Sequence, residues 1–270
     1  MLKTTRIYAN GPTKKGVREL EADIFQPEGE GPFDLLVWMH SGGFRSGSRS
    51  HRAHARMAGA FGAHGIAMAF IDYRLARPKA ILSDAVAGRV NALIAEAEAS
   101  GEEMTETFYG PRPLAVVEDC CAFLRRAEEW AEELRLSSRY LLGGSSSGAI
   151  SALNTLYLAG PLGLERPEIS TILSFSGGFA YTPSLHPTGA RIMALHNAAD
   201  EKIPISSIRR LAETTPDPML LIESEESGHG DLAVAPEEPL ETSVARCVAF
   251  DRAADIHAFD VKSEFLVSEG

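Results

Sequence analysis

The chain has 270 residues, of which 44% are hydrophobic and 23% charged, a balance typical of a folded globular protein and not of a disordered or fibrous one. Its formal net charge is −11 at pH 7, and its basic residues are scattered among more numerous acids, which argues against a nucleic-acid partner. No segment approaches the ~20 apolar residues that a membrane-spanning helix needs.

The three cysteines are Cys120, Cys121 and Cys247. Their number is odd, and the first two are adjacent within a helical pattern, so buried and reduced thiols are expected instead of disulfides. The amino-terminal segment also has no apolar stretch that could form a signal-peptide core. These observations predict a cytoplasmic protein.

Short apolar runs alternate along the chain with helical patterns. Runs of this kind are typical of strands buried on both faces of a parallel sheet. The predicted strands are 34–39, 66–72, 140–143, 171–175, 191–196 and 219–223. The predicted helices are 50–64, 114–134, 148–158, 206–214 and 237–250. The alternation predicts a mostly parallel, doubly wound sheet with helices on both faces, preceded by an antiparallel hairpin of residues 4–8 and 19–25.

Residues 78–112 interrupt this alternation. Apolar side chains recur at helical spacing between Leu82 and Ala97, followed by polar positions up to Pro111. The pattern predicts a small inserted cap within one 270-residue domain. The segment could be a surface helix that covers the core, a lid or pocket wall, or a dimer contact. The sequence does not decide between these alternatives, so a homodimer is one possible state of the protein.

The loop after the predicted strand 140–143 reads Gly-Ser-Ser-Ser-Gly. Only Ser146 has a glycine two residues before it and another two residues after it, at Gly144 and Gly148. A sharp strand-to-helix turn requires that spacing, because side chains at the two flanking positions would clash. Ser146 is therefore the candidate nucleophile.

A serine nucleophile needs a base, and the base needs an acid. His229 lies in a glycine-containing loop after the last predicted strand and is the candidate base. Asp200 follows the strand 191–196 and is the candidate acid, with Glu201 and Glu225 as weaker alternatives. The chain order Ser, Asp, His is that of the α/β-hydrolases.

A tetrahedral intermediate also needs backbone N–H donors. The strand 34–39 is followed by His-Ser-Gly-Gly-Phe, where glycines let the main chain approach a developing oxyanion closely. We expect the amides of Gly42, Gly43 and Ser147 to form this oxyanion hole. Glycine loops of this kind are common, and the prediction depends on four loops occurring in the right order.

Four segments resemble the esterase/lipase branch of the α/β-hydrolase superfamily that has an HGGG-type oxyanion loop, close to the hormone-sensitive-lipase-like and carboxylesterase-like enzymes. HSGGFRSGS is similar to the HGGGF loop, IDYRLA to the D-Y-R-L-A segment, GGSSSGA to the G-x-S-A-G-G elbow, and HNAADEKIP to H-G-x-x-D-x-x-V-P, whose Asp is the triad acid. The resemblance spans about residues 20 to 235. The chain departs from the family at Ser41, Ser147, Ala149 and Asn197, and it lacks the large amino-terminal cap.

The resemblance implies an α/β-hydrolase fold and hydrolysis of a small carboxylic ester through an acyl-enzyme on Ser146. It implies neither a metal nor an organic cofactor. Phe44 and Tyr73, which lie in the matching motifs, are the predicted substrate-binding residues. An amidase or formamidase with the same triad is the alternative enzyme, and a non-catalytic binding protein on this fold is the alternative of another class.

Overall fold

The computed structural model describes residues 1–77, 79–101, 103 and 105–256. In this part of the chain, eight strands form one sheet in the order β1-β2-β4-β3-β5-β6-β7-β8. The strands are β1 Leu2–Thr13, β2 Gly16–Gln26, β3 Phe33–Met39, β4 Ile66–Ile71, β5 Leu136–Ser145, β6 Ile169–Phe175, β7 Arg191–Asn197 and β8 Met219–Ser224.

The sheet is parallel from β4 through β8, and β1 and β2 form an antiparallel hairpin at one edge. The predicted architecture is therefore confirmed, with a hairpin longer than the sequence pattern suggested. After β3 the chain forms β4 on one side of β3 in the sheet, and it then crosses over to form β5 on the other side of β3. This reversal makes the carboxyl ends of β3 and β5 a topological switch point, the usual place for a ligand crevice in an open parallel sheet.

Helices cover both faces of the sheet. Their bounds are α1 His54–Gly62, α2 Asp84–Ala99, α3 Glu106–Tyr109, α4 Pro111–Glu129, α5 Ser147–Leu158, α6 Ile205–Thr214 and α7 Leu240–Arg252, with a 3-10 turn at Thr182–Ser184. Helices α1 and α7 pack in one apolar cluster, represented by Phe61 and Val244. Helices α2, α4, α5 and α6 pack in the other, which contains Val86, Leu114 and Ile150.

The predicted and observed helices differ most at the ends of α1 and α4. Helix α1 begins at His54, not at residue 50, because residues 51–53 form a turn in which the His54 N–H donates to the His51 carbonyl. Helix α4 begins at Pro111, where proline is favoured because the first helical N–H needs no partner within the helix. It ends at Glu129, and the following turn leads into β5.

Helix α2 supplies half of the described part of the insertion. Its apolar side, formed by Val86, Val90, Leu93 and Ala97, is buried in the same core cluster as α4 and α5. The Ser184 hydroxyl donates to Glu96 at 2.9 Å, which ties α2 to the 3-10 turn. Helix α2 thus packs against the helices that cover this face of the sheet, and it does so through the apolar side chains whose helical spacing was recognised in the sequence.

A buried ion network joins the two ends of the insertion. The Arg74 guanidinium donates to Asp119 at 2.7 Å, to Glu118 at 2.6 Å and to the Ile81 carbonyl at 2.6 Å. Burial raises the pKa of Asp119 to about 6, although Arg74 partly offsets this effect. Arg74 follows β4 and Asp119 lies within α4, so the network fixes the segment between them at both of its ends.

All three cysteines are buried and free. Burial raises the pKa of the Cys121 and Cys247 thiols to about 12, so both are protonated thiols at neutral pH. Within the described residues, no helix has both the length and the apolar composition needed to cross a membrane.

Candidate active site

Ser146 lies on a sharp turn between β5 and α5. Its backbone has φ 55° and ψ −122°, a conformation that is strained for a residue with a side chain. The Ser146 N–H donates to the Phe175 carbonyl of β6 at 2.8 Å, which holds the turn against the neighbouring strand. The elbow predicted from the glycine spacing is thus present, with Ser146 at its tip.

The glycine two residues after Ser146 is required by close packing. A Cβ added to Gly148 would lie 2.0 Å from the Met39 carbonyl oxygen, which belongs to the backbone of β3 and cannot move aside cheaply. Gly148 is where the start of α5 crosses the end of β3.

We therefore expect Gly148→Ala to destabilise the protein by about 3 kcal/mol or more, because the added methyl group overpacks a backbone contact. Thermal unfolding would measure the loss. Gly160→Ala is the matched control, since an added Cβ there meets nothing within 4 Å. Equal melting temperatures for the two variants would contradict the packing argument.

The three predicted triad side chains come together although they are far apart in sequence. His229 Nε2 lies 2.9 Å from Ser146 Oγ, and His229 Nδ1 lies 2.6 Å from Asp200 Oδ2. The Asp200 side chain is 1% exposed and that of His229 is 19% exposed, so the base faces solvent while the acid does not. The arrangement allows His229 to accept a proton from Ser146 while Asp200 orients the imidazole.

Asp200 is held as a carboxylate. Burial raises the pKa of Asp200, but the hydrogen bonds from His229 and from the backbone N–H groups of Lys202 and Ile203 lower it, and the net pKa lies below the usual range. Those two amides donate to Oδ1 at 2.8 and 3.2 Å, which leaves Oδ2 for His229. The alternative acids Glu201 and Glu225 are exposed, and His229 Nδ1 bonds to Asp200 instead.

The sequence analysis noted Asn197 only as a departure from a family glycine. Its side-chain amide donates to the Ser227 carbonyl at 2.6 Å, and its Oδ1 accepts from the Ala199 N–H at 2.7 Å. Asn197 therefore connects the loop that carries Asp200 to the loop that carries His229. The substitution of a hydrogen-bonding residue for glycine was the signal that could have identified it.

His196, at the end of β7, is a second histidine beside Asp200. Its Nε2 lies 3.0 Å from the Ile203 carbonyl and 3.6 Å from Asp200 Oδ2. Burial lowers the pKa of His196, so the ring is neutral at pH 7. His196 packs behind the acid, and the base that contacts Ser146 is His229.

The predicted oxyanion loop forms a tight turn after β3. Gly42 has φ 125°, a conformation that favours glycine, and a Cβ there would lie 2.2 Å from the Ser46 carbonyl oxygen. Across the described part of the chain, neither the Gly42 amide nor the Ser147 amide has a hydrogen-bond partner. Both are therefore free to donate to a ligand.

The backbone N–H of Gly43, the third predicted donor, already has a hydrogen-bond partner. Its N–H donates to Ser147 Oγ at 3.1 Å. The Tyr73 hydroxyl donates to the His40 carbonyl at 2.6 Å. Two buried hydroxyls thus hold the predicted oxyanion loop, that of Ser147 at Gly43 and that of Tyr73 at His40. The sequence analysis had noted Ser147 only as a substitution for alanine.

The two predicted substrate-binding side chains lie beneath this loop. Phe44 and Tyr73 are both fully buried. The Tyr73 ring stacks on the His40 ring at 4.1 Å between centroids, and the Phe44 ring meets Phe108 edge-on at 6.4 Å. In this structure both rings pack into the core and so support the loop from its buried side.

We expect Ser147→Ala to raise kcat three- to tenfold with little change in KM. Removal of the hydroxyl leaves the Gly43 N–H free, and an oxyanion-hole donor is worth on the order of 10²–10³ in rate when fully used. Steady-state kinetics on a neutral ester would measure the change. Ser151→Ala is the control, since Ser151 donates to the Ser147 carbonyl one helical turn later and does not contact the loop. A lower kcat would mean that the hydroxyl acts mainly by holding the loop.

The other histidines lie outside this arrangement. His54 stacks on Phe70, and burial lowers its pKa to about 4; His51 and His186 are exposed, and His64 is half-buried. His257 lies outside the described residues. Among the residues that the structure describes, no group of three or more His, Cys, Asp or Glu side chains could hold a metal ion.

No family model and no curated relative matches the sequence. Solved structures do match the fold. An esterase from Thermogutta terrifontis with propionate bound superposes with a TM-score of 0.65 and 16% identity, over 92% of this chain and 93% of that one. The same enzyme phosphorylated by paraoxon gives a TM-score of 0.66, 16% identity, and coverage of 92% and 94%.

The hyperthermophilic esterase from the archaeon Pyrobaculum calidifontis is similar at a lower level. It superposes with a TM-score of 0.60 and 14% identity, over 92% of this chain and 85% of that one. Together with the observed strand order and the helices on both faces, these matches establish that the chain has an α/β-hydrolase fold.

Proposed function

We propose that the protein is a serine hydrolase that cleaves small carboxylic esters through an acyl-enzyme. The observation that carries this proposal is the continuous hydrogen-bonded chain from Ser146 through His229 to Asp200, with distances of 2.9 and 2.6 Å. A serine on a strained elbow, a histidine within hydrogen-bond distance of it and a buried carboxylate are the parts that nucleophilic acyl transfer needs. The esterases with the same fold add support by analogy.

The reaction begins when Ser146 Oγ attacks the ester carbonyl carbon and His229 Nε2 takes the hydroxyl proton. The carbonyl oxygen becomes an oxyanion, which the amides of Gly42 and Ser147 bind, joined by the Gly43 amide once it turns from Ser147 Oγ. The bond to the alkoxy group then breaks, and His229 returns its proton to the leaving alcohol. Water repeats these steps on the acyl-enzyme, and the products are an acid and free Ser146.

The oxyanion and acylation sites lie at the switch point of the sheet, between the loops that follow β3 and β5. Residues 78–112 are proposed to act as one wall of the acyl pocket and so as a small cap. A small cap favours short acyl chains. Phe44 and Tyr73 are assigned to the support of the oxyanion loop.

Two measurements test the function together. The first is turnover of p-nitrophenyl acetate, butyrate and decanoate, beside the matching p-nitroanilides; we expect hydrolysis of the short esters and little of the anilides. The second is inactivation by paraoxon, followed by mass spectrometry of the peptide that contains Ser146. Anilide turnover that exceeds ester turnover would assign an amidase, and no turnover with an unmodified Ser146 would leave a non-catalytic protein.

A further inference from the structure

Two neighbouring cavities lie beside the oxyanion loop, lined mostly by residues of the insertion proposed above as a pocket wall, and no step of the reaction described above uses their charged side chains. One, the cationic cavity, has a volume of about 340 Å³ and is lined by Arg45, Lys79 and Arg112. The other, the apolar cavity, has a volume of about 440 Å³ and is lined by Leu75, Ile81, Leu82 and Val90. Both volumes fall in the range of small-ligand pockets.

The two cavities are adjacent. They share four wall residues, Ala76, Lys79, Pro111 and Arg112. The cations at the junction therefore stand between a polar chamber and an apolar one. A ligand that fills both would have a charged end and a hydrocarbon part.

The charge of the cationic cavity is not neutralised within the described residues. Arg45, Lys79 and Arg112 are exposed, and no carboxylate in the part of the chain that the structure describes pairs with them. Helix α4 adds the positive end of its dipole, because it begins at this wall with Gly110 as an N-cap that makes no side-chain hydrogen bond. Such a concentration of positive charge on a chain with net charge −11 favours an anion at this place.

The apolar cavity contains two further charged residues. Arg74 is already paired with Glu118 and Asp119, so it adds no free charge. Asp84 is the one acid that the structure shows among the lining residues, and it forms no ion pair with Lys79 or Arg112 within the described residues. Ile81, one of the apolar side chains of this wall, is 47% exposed.

The cationic cavity is linked directly to the proposed active site. Arg45 follows Phe44 in the oxyanion loop, and the Ala76 N–H of the shared wall donates to the Phe44 carbonyl at 2.7 Å. Arg45 is two residues from Gly43, so its backbone lies within about 8 Å of that amide. A ligand held by Arg45 therefore contacts the same loop that supplies the oxyanion donors.

We propose that the two cavities together bind an aliphatic carboxylate, with its charged group in the cationic cavity and its chain in the apolar cavity. The carboxylate has two sources: a free acid, which is the product class of the proposed ester hydrolysis, or an acid group at the far end of an ester substrate. The binding itself does not depend on the proposed function, whereas the assignment of the second source rests on it.

Calorimetric titration with octanoate tests the site directly and needs no turnover. We expect binding to the wild-type protein that weakens at least tenfold in Lys79→Gln/Arg112→Gln. The control Arg52→Gln/Arg56→Gln removes the same charge on and before α1, away from both cavities, and should bind as the wild type does. Acetate should bind far more weakly than octanoate, since each methylene buried in the apolar cavity adds about fourfold in affinity. No octanoate binding, equal binding by the two double variants, or equal binding of acetate and octanoate would overturn the proposal.

Kinetics then distinguish the two sources. If the ligand is part of the substrate, mono-p-nitrophenyl glutarate has a lower KM than p-nitrophenyl valerate, and Lys79→Gln/Arg112→Gln removes the difference. If the ligand is a free acid, the two esters have equal KM values, and octanoate alters the turnover of the valerate ester. Should neither ester be hydrolysed, the proposed function fails, while the titration still decides whether the site exists.

Discussion

Ser146→Ala is expected to lower kcat for p-nitrophenyl butyrate by about 10⁴-fold or more. The substitution removes the oxygen that forms the acyl-enzyme and leaves His229 without the hydroxyl that lies 2.9 Å from its Nε2. Removal of a serine nucleophile in a triad costs about as much as removal of the whole triad, because the three groups act as a unit. Residual turnover would come from the oxyanion donors and substrate binding alone.

Ser145→Ala is the matched control for this variant. Ser145 is the adjacent residue at the end of β5, and it takes no part in the hydrogen-bonded chain to Asp200. We expect its kcat to stay within about threefold of the wild-type value. Equal activity losses at the two positions would indicate a general disturbance of the elbow, and full activity in Ser146→Ala would exclude Ser146 as the nucleophile.

Asp200→Asn is expected to lower kcat by about 10⁴-fold with little change in KM. Asparagine can still accept the backbone hydrogen bonds from Lys202 and Ile203, so the loop keeps its shape. The side-chain amide would however donate to His229 Nδ1 and leave Nε2 protonated, which is the tautomer that cannot accept the Ser146 proton. The loss therefore falls on the chemical step.

Glu201→Gln provides the comparison for Asp200→Asn. Glu201 is the neighbouring acid, exposed to solvent, and was an alternative candidate for the same role. Its kcat should be unchanged within about twofold. Glu201→Gln losing more activity than Asp200→Asn would transfer the role of the acid to residue 201.

The sheet and the candidate triad could be predicted because each depends on local patterns. Apolar runs of strand length fix β3 to β8 within a few residues, and glycine spacing alone singles out Ser146 from three consecutive serines. The loops that carry His229 and Asp200 each follow a strand, so their common location at one edge of the sheet follows from parallel strand order.

Side-chain orientation in the loops could not be predicted, because loops have no periodicity that distinguishes a buried face from an exposed one. Phe44 and Tyr73 were expected to contact substrate, yet both point into the core. The bond from Gly43 to Ser147 Oγ joins residues that are 104 positions apart, and no local pattern records such a contact. No local pattern predicts the hydrogen bond from the Asn197 side chain to the Ser227 carbonyl, in the loop that carries His229, either.

The Arg74 network has a consequence for how this chain can change. Arg74 bonds to Ile81 near the start of the inserted segment and to Glu118 and Asp119 just after its end. These contacts hold the two ends of the segment together, and they do not involve the residues between Ile81 and Glu118. The entropic cost of closing a loop grows only slowly with its length, so insertions and deletions between the residues that Arg74 contacts would cost little stability. Changes within this segment can therefore alter which ligands the protein binds while Ser146, His229 and Asp200 keep their positions.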